Sequence, residues 1–209
     1  KFPITFYSLL LAWLPMAAPA APAEWQPLLE PRELSSILES VPDVRVIQVT
    51  GSHRRAHIPG SLDSPYADWR GTGENPGELR TLGEYTRLVQ NLGITDATPV
   101  VVVHQGSDPT DMGAATRVYW TLKSLGVRDV AMLNGDLEAW QASGLPVSSG
   151  EETPFPSRYQ PVWVGDWQVT TAEVEALVAA GEGNLIDARP ASFFRGLRAT
   201  VGRPGTIQG

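Results

Sequence analysis

The sequence of 209 residues contains no cysteine. This absence excludes a disulfide framework, a thiolate metal site and a cysteine nucleophile within these residues. Long runs of one charge are also missing: 23 acidic and 16 basic residues are scattered along the chain and give a net charge of -7. That balance argues against nucleic acid or an anionic membrane as the main partner and favours a small molecule or a protein.

The beginning of the chain has no apolar run long enough to span a bilayer, because Pro3, Pro15, Pro19 and Pro22 interrupt it. It does combine one positive charge, an apolar stretch at residues 9–14 and small residues at 21–23. This layout is typical of a secretory signal peptide over residues 1–23, cleaved before Glu24. We therefore predict a periplasmic or secreted protein without a stable membrane anchor. Since residue 1 is lysine and not methionine, we expect the sequence to begin inside a longer reading frame. We expect it to end inside one too.

With 42% hydrophobic and 19% charged residues, the whole chain has the composition of a globular protein of one or two domains. Helical patterns at residues 31–40 and 81–93 alternate with strand patterns at 43–51 and 128–133. The valine run at 100–103 is typical of a strand buried on both faces of a parallel sheet, and an amphipathic helix is predicted to begin near Gly113. Residues 24–147 are thus predicted to form one α/β domain with a central parallel sheet flanked by helices.

The pattern restarts after residues 148–168, a segment rich in proline, glycine and aromatics that we interpret as an ordered linker. TTAEVEALVAAGEGNLIDAR parallels PRELSSILESVPDVRVIQVT in order and spacing, and TIQG later parallels HIPGS. Such internal repetition indicates a second copy of the same unit. Residues 169–209 therefore correspond to its first helix, strand and long loop, and the copy is incomplete.

Three motifs follow one another along the first unit: RAHIPGS, GITDATPVVVVHQG and GVRDVAMLNGDLEAWQASGLPV. In this order they resemble the motifs of rhodanese-like sulfurtransferases, and the third is the most specific. The partial second copy, beginning NLIDARPASFFRG, makes the chain similar to tandem-domain thiosulfate and mercaptopyruvate sulfurtransferases. This resemblance implies an inactive first domain and a second domain that carries the catalytic cysteine.

The loop after the central strand has a special role in that family. The resemblance implies that active members place a cysteine at its head, where backbone N–H groups and a helix N-terminus favour the thiolate and its persulfide. The equivalent position lies near Pro109, and the loop contains Asp108 and Asp111 instead. A carboxylate there satisfies the free N–H groups, so we predict Asp111 as the helix N-cap and the loop as inactive. The nucleophilic cysteine is then expected beyond Gly209.

Candidate site residues of the second unit lie around the predicted end of its strand. Asp187 and Arg189 have two interpretations: an ion pair that braces the strand end, or a substrate contact through Arg189. The resemblance implies a substrate-binding arginine a few residues further on, but Phe193 occupies that position, and a phenyl ring cannot bind sulfonate or carboxylate oxygens. The cations left to attract an anionic donor are Arg195, Arg198 and Arg203. A solvated basic loop is the alternative.

The three histidines are weak functional candidates. His53 and His57 are four residues apart, as in a helical metal pair, but the turn at Pro59-Gly60 and the lack of a third ligand argue against a metal site. His104 ends a buried strand and is predicted to be a hydrogen-bonded packing residue rather than a base. We expect neither a metal nor a cofactor.

The resemblance, together with the predicted signal peptide, implies an exported sulfurtransferase that moves sulfane sulfur from thiosulfate or a related anion to a thiol or cyanide acceptor through a cysteine persulfide. The 209 residues by themselves are expected to be inactive, because a thiolate is absent. Two alternatives stay open. One is a cysteine-free module that binds a protein or an anion, and the other is a structural export factor without a ligand.

Overall fold

A computed structural model describes residues 25–72 and 77–198, and within them the side chain of Asp166 is not described. The predicted signal peptide with its cleavage site before Glu24, the TIQG loop and Arg203 lie outside the described residues. No helix in the described ranges is long and apolar enough to cross a membrane.

The fold is built on a sheet of five strands in the order β1-β5-β4-β2-β3, and all neighbouring strands are parallel. The strands are β1 (Leu28–Leu29), β2 (Arg45–Gln48), β3 (Leu62–Asp63), β4 (Val100–Val103) and β5 (Val130–Leu133). The central strand β4 is fully buried, as its uninterrupted valines predict. The predicted α/β fold with a parallel sheet is confirmed.

Four helices cover the two faces of this sheet: α1 (Pro31–Ser40), α2 (Leu82–Asn91), α3 (Pro109–Ser124) and α4 (Asp136–Ala142). Later in the chain follow α5 (Thr171–Ala180) and the short α6 (Ala191–Phe194), which add no residue to either core. One core lies between the sheet and helices α1 and α4, and includes Leu34 and Trp140. The other lies between the sheet and helices α2 and α3, and includes Tyr85 and Leu122. The even and odd valines of β4 thus enter opposite cores.

The helix boundaries follow from local sequence signals. Helix α1 has proline at its first position, where the missing N–H costs no hydrogen bond. Helix α2 begins with a capping box, in which Thr81 and Glu84 each accept the backbone N–H of the other. Hydrogen bonds from the side chain and backbone of Thr81 lower the pKa of Glu84. Gly93, with φ +69°, then turns the chain out of the helix.

Two predicted elements differ from the structure. Helix α3 begins at Pro109 rather than near Gly113, so it includes part of the predicted loop. The strand predicted at the end of NLIDAR does not form: residues 184–189 pair with no other strand in the described part of the chain, and Ile186 is 86% exposed. A strand needs a neighbour for its backbone hydrogen bonds, and the described residues after position 168 supply none.

Candidate functional site

The loop at residues 104–108 connects the carboxyl end of β4 to helix α3. It is held to the neighbouring strand end, because Gln105 donates its backbone N–H to the hydroxyl of Thr50 at 2.9 Å. Gly51 lies under the side chain of Gln105, and a Cβ at position 51 would overlap it. The carbonyl of His104 accepts the N–H of Leu137 at 3.0 Å. The loop therefore has a defined conformation, set by three parts of the fold.

Asp108 is the N-cap of α3. Its carboxylate accepts the N–H of Thr110 at 2.6 Å and that of Asp111 at 3.2 Å. Hydrogen bonds from the side chain and backbone of Thr110, and from the backbone of Asp111, lower the pKa of Asp108. The prediction of Asp111 as the cap is wrong. Proline is preferred at the first helical position, so the helix begins at Pro109 and the cap falls on the residue before it.

Asp111 instead closes the loop from the first turn of the helix. Its carboxylate accepts the N–H of Ser107 at 3.0 Å. The backbone donors of Ser107, Thr110 and Asp111 are therefore all taken by two internal carboxylates, and Pro109 has no N–H to offer. An anion approaching this helix N-terminus would meet two negative charges and occupied donors. The loop has the geometry of an anion cradle, but its own side chains fill it.

Asp136, at the start of α4, also supports this loop, and sequence reasoning did not identify it. It has a left-handed backbone (φ +73°), and its carboxylate accepts the N–H of Glu138 at 2.7 Å and of Ala139 at 3.2 Å. The same carboxylate lies against Gly106, where an added Cβ would overlap it. The available signal was an acidic residue directly after a strand and an Asn-Gly turn, which is typical of a helix start.

The histidines have structural positions. His53 and His57 are buried and stacked, with ring centroids 3.8 Å apart. His53 Nε2 donates to the carbonyl of Ser61, and His57 Nδ1 donates to the carbonyl of His53, both at 2.8 Å. The sequence predicts that His104 is hydrogen-bonded. This prediction is wrong for its Nδ1 atom, which is buried and has no hydrogen-bond partner among the described residues. In the same ranges no three metal-ligating side chains cluster.

Asp187 and Arg189 form an ion pair between helices α5 and α6. The guanidinium donates from Nη2 to Oδ2 at 2.6 Å and from Nε to both carboxylate oxygens at 2.9 and 3.1 Å. This side-chain hydrogen bonding, with the backbone N–H of Arg189, lowers the pKa of Asp187 to about 2. Further along, the guanidinium of Arg198 lies 5.6 Å from the ring centroid of Phe193, so these two residues are brought together. Arg195 follows directly after α6.

Comparison with known proteins places this geometry in a family. The family model described as the rhodanese-like domain matches residues 30–143. A thiosulfate sulfurtransferase of Rattus norvegicus is 29% identical over 153 residues, covering 71% of this chain and 50% of the relative. A 3-mercaptopyruvate sulfurtransferase of Homo sapiens is 30% identical over 114 residues, covering 54% of this chain and 37% of the relative.

A solved structure supports the fold. The crystal structure of SseA from Escherichia coli, described as a 3-mercaptopyruvate sulfotransferase, superposes with a TM-score of 0.73 at 20% identity, covering 86% of this chain and 71% of that chain. A protein of Synechococcus elongatus is 27% identical over 201 residues, which are 94% of this chain and 61% of that protein. The chain thus spans less than two thirds of this relative. On these grounds the chain belongs to the family of rhodanese-like domains, whose relatives here include sulfurtransferases.

Proposed function

We propose that this chain is part of an exported sulfurtransferase whose persulfide is carried by a cysteine beyond Gly209. The observation that carries the proposal is the loop after β4, where the carboxylates of Asp108 and Asp111 occupy the helix N-terminus. No cysteine is present in the 209 residues to hold sulfur. The relatives that are sulfurtransferases, and the internal repeat, support a second, active unit.

The proposed reaction has two displacements. With thiosulfate as the donor, a cysteine thiolate attacks the outer sulfur, so that a new S–S bond forms while the S–S bond of thiosulfate breaks and sulfite leaves with the electron pair. Cyanide or an acceptor thiolate then attacks the outer sulfur of the persulfide, and the cysteine thiolate departs. One sulfur atom thus moves from the donor to the acceptor, and no cofactor takes part.

The described residues of the second unit would act on the donor by charge. Arg195 and Arg198 supply positive charge near α6, and we assign to them the attraction of the anionic donor. Arg189 is already engaged with Asp187, so its proposed contribution to substrate binding is secondary to holding that carboxylate. Export with cleavage before Glu24 belongs to the same proposal and is supported by the composition of residues 1–23.

The test compares the 209-residue chain with the protein from the full reading frame, using thiosulfate, cyanide and colorimetric detection of thiocyanate. The short chain should not exceed the uncatalysed rate, whereas the longer protein should turn over and lose activity when its cysteine is changed to serine. By the repeat spacing, that cysteine is expected roughly fifty residues beyond Gly209. A stop codon or a second cysteine-free loop in that region would instead favour a module that binds protein or anion. Turnover by the cysteine-free chain would refute the mechanism.

A further inference from the structure

The turn between β5 and α4 has the sequence Asn134-Gly135, and both residues are exposed. The backbone N–H of Asn134 donates to the carbonyl of Leu29 at 2.8 Å, and its side-chain amide donates to the carboxylate of Glu30 at 2.6 Å. The N–H of Gly135 makes no hydrogen bond within the described ranges. Gly135 also has no side chain to shield its nitrogen, which adjoins the Asn134 amide along the chain.

We propose that Asn134 is a site of spontaneous deamidation, and that the product carboxylate is an irreversible charge switch that loosens β1 and α1 from β5. In the first step the Gly135 nitrogen loses its proton to water or hydroxide and attacks Asn134 Cγ. The N–Cγ bond forms, the Cγ–Nδ2 bond breaks, and ammonia leaves after taking up a proton. Water then opens the cyclic imide at either carbonyl, which gives aspartate or isoaspartate.

The local sequence distinguishes this asparagine from the other three in the chain. Asn91 and Asn184 are each followed by leucine, whose side chain crowds the attacking nitrogen. Asn91 also lies inside helix α2. Asn75 precedes a proline, which has no N–H to lose, and lies outside the described residues. Of these four asparagines, only Asn134 is exposed and is also followed by a glycine, and the N–H of that glycine is not hydrogen-bonded within the described residues.

The partner of Asn134 explains why the product would matter. Glu30 is the N-cap residue of α1, and its backbone N–H donates to the carboxylate of Glu33 at 2.9 Å. The amide of Asn134 is therefore a neutral donor to a charged acceptor. A carboxylate in its place would lie against Glu30 at hydrogen-bond distance, where two ionised carboxylates repel each other. The charged groups nearby in sequence are Arg32, Glu33, Asp136 and Glu138, and three of these four are also acidic.

The first experiment measures deamidation in the folded chain. The 209-residue protein is kept at mildly alkaline pH in water enriched in ¹⁸O and digested, and the peptides are analysed by mass spectrometry. The peptide with Asn134 should gain label and appear as separate aspartate and isoaspartate forms, roughly tenfold faster than the peptide with the exposed Asn184, because glycine leaves the nitrogen open. Equal rates at the two positions, or conversion without isoaspartate, would overturn the proposed site.

The second experiment tests the charge switch with three variants. Asn134→Ala removes the hydrogen bond to Glu30, Asn134→Asp also adds the negative charge, and Asn184→Asp adds the same charge at a distant exposed position. The melting temperature should fall most for Asn134→Asp, less for Asn134→Ala, and should not change for Asn184→Asp. If Asn134→Asp melts as high as Asn134→Ala, the added charge does not loosen this edge of the sheet and the switch is refuted.

Discussion

Gly106 and Gly83 show how differently two glycines can be constrained in one chain. Gly106, in the loop after β4, has φ +93°, and a Cβ there would overlap the carboxylate of Asp136. Gly83 lies in the first turn of α2, outside the left-handed region, and apart from its chain neighbours and the backbone of its own helix no heavy atom lies within 4 Å of the position of its missing Cβ. The first position therefore requires glycine and the second does not.

We expect Gly106→Ala to destabilise the protein by more than about 1 kcal/mol, since alanine is strained at positive φ and would displace the carboxylate that caps α4. Gly83→Ala is the matched control. It should be neutral or stabilising by up to about 1 kcal/mol, because alanine favours the helix. Urea denaturation monitored by circular dichroism measures both differences. Equal stability of the two variants would show that the loop adapts to a side chain at position 106.

The Asp187–Arg189 pair makes a prediction about pH. The pKa of Asp187 is lowered from 3.8 to about 2, so the pairing is complete above pH 3.8 and is lost as the pH falls towards 2. In Arg189→Gln the pKa of Asp187 should rise towards 3.8, whereas Arg195→Gln should leave it where it is. Carboxyl ¹³C chemical shifts over this pH range report the change. Since the Arg189 side chain is exposed and that of Asp187 is only partly buried, little effect on global stability is expected. An unchanged titration in Arg189→Gln would mean that another group holds the charge.

The residues of the candidate site could be predicted in type but not in geometry. The sequence predicted an acidic cap at the start of α3. Which residue forms the cap depends on where the helix begins, and Pro109 places that start about one turn earlier in the chain than predicted. The contact of Asp136 with Gly106 joins two loops thirty positions apart, and local patterns do not encode such a contact. Nor could the sequence show that the ring of Phe193 lies beside Arg198.

The connecting segment, residues 148–168, packs along helices α2 and α3. The backbone of Ser157 donates to the carbonyl of Gln90 at 2.8 Å, and Val164 donates to Ser124 at 2.8 Å. The hydroxyl of Tyr159 donates to the carbonyl of Leu125 at 2.8 Å, and its partial burial is the main cause of its raised pKa. Trp163 meets the ring of Tyr85 edge-on at 5.7 Å. Phe155 lies in the same segment but does not pack against these helices, since it is 93% exposed.

These contacts predict that Tyr159→Phe lowers the free energy of unfolding by about 1 kcal/mol, because the carbonyl of Leu125 loses its donor while the ring remains. Phe155→Leu is the control and should change that free energy by less than about 0.5 kcal/mol, since the side chain is solvated. Both variants are compared by urea denaturation of the same chain. A Tyr159→Phe variant as stable as the control would show that solvent replaces the lost bond at no cost.

Elements with strong local signals were predictable and those that depend on distant pairing were not. Helix α1 occupies the predicted range, and β4 follows from its valines. Strands β1 and β3 have only two residues each, too few for a period-2 pattern, and they form because β5 and β2 offer backbone partners. The converse case is residues 184–189, which have a strand-like sequence without a described partner strand.

The described residues before and after position 168 differ in how much surface they bury. The sheet and helices α1 to α4 enclose two cores of buried apolar residues. Helix α5 is well formed, with a capping box between Thr170 and Glu173, yet it has no buried residue. The hydrogen bonds from Thr170 in this capping box lower the pKa of Glu173. They form within the helix and do not attach it to a hydrophobic core. Cooperative stability should therefore reside in the first unit, and the position of its carboxyl boundary becomes the question.

Two shortened chains with the same N-terminus locate that boundary. The sequence placed it at Val147, so that removal of all later residues should leave the melting transition nearly unchanged. The contacts of Ser157, Tyr159 and Val164 with α2 and α3 change this expectation. A chain ending at Gln168 should melt like the 209-residue chain, because α5 buries nothing, whereas a chain ending at Val147 should melt several degrees lower. Calorimetry measures both transitions. If the chain ending at Val147 melts as high as the longer one, the connecting segment contributes no net stability and the boundary at residue 147 is correct.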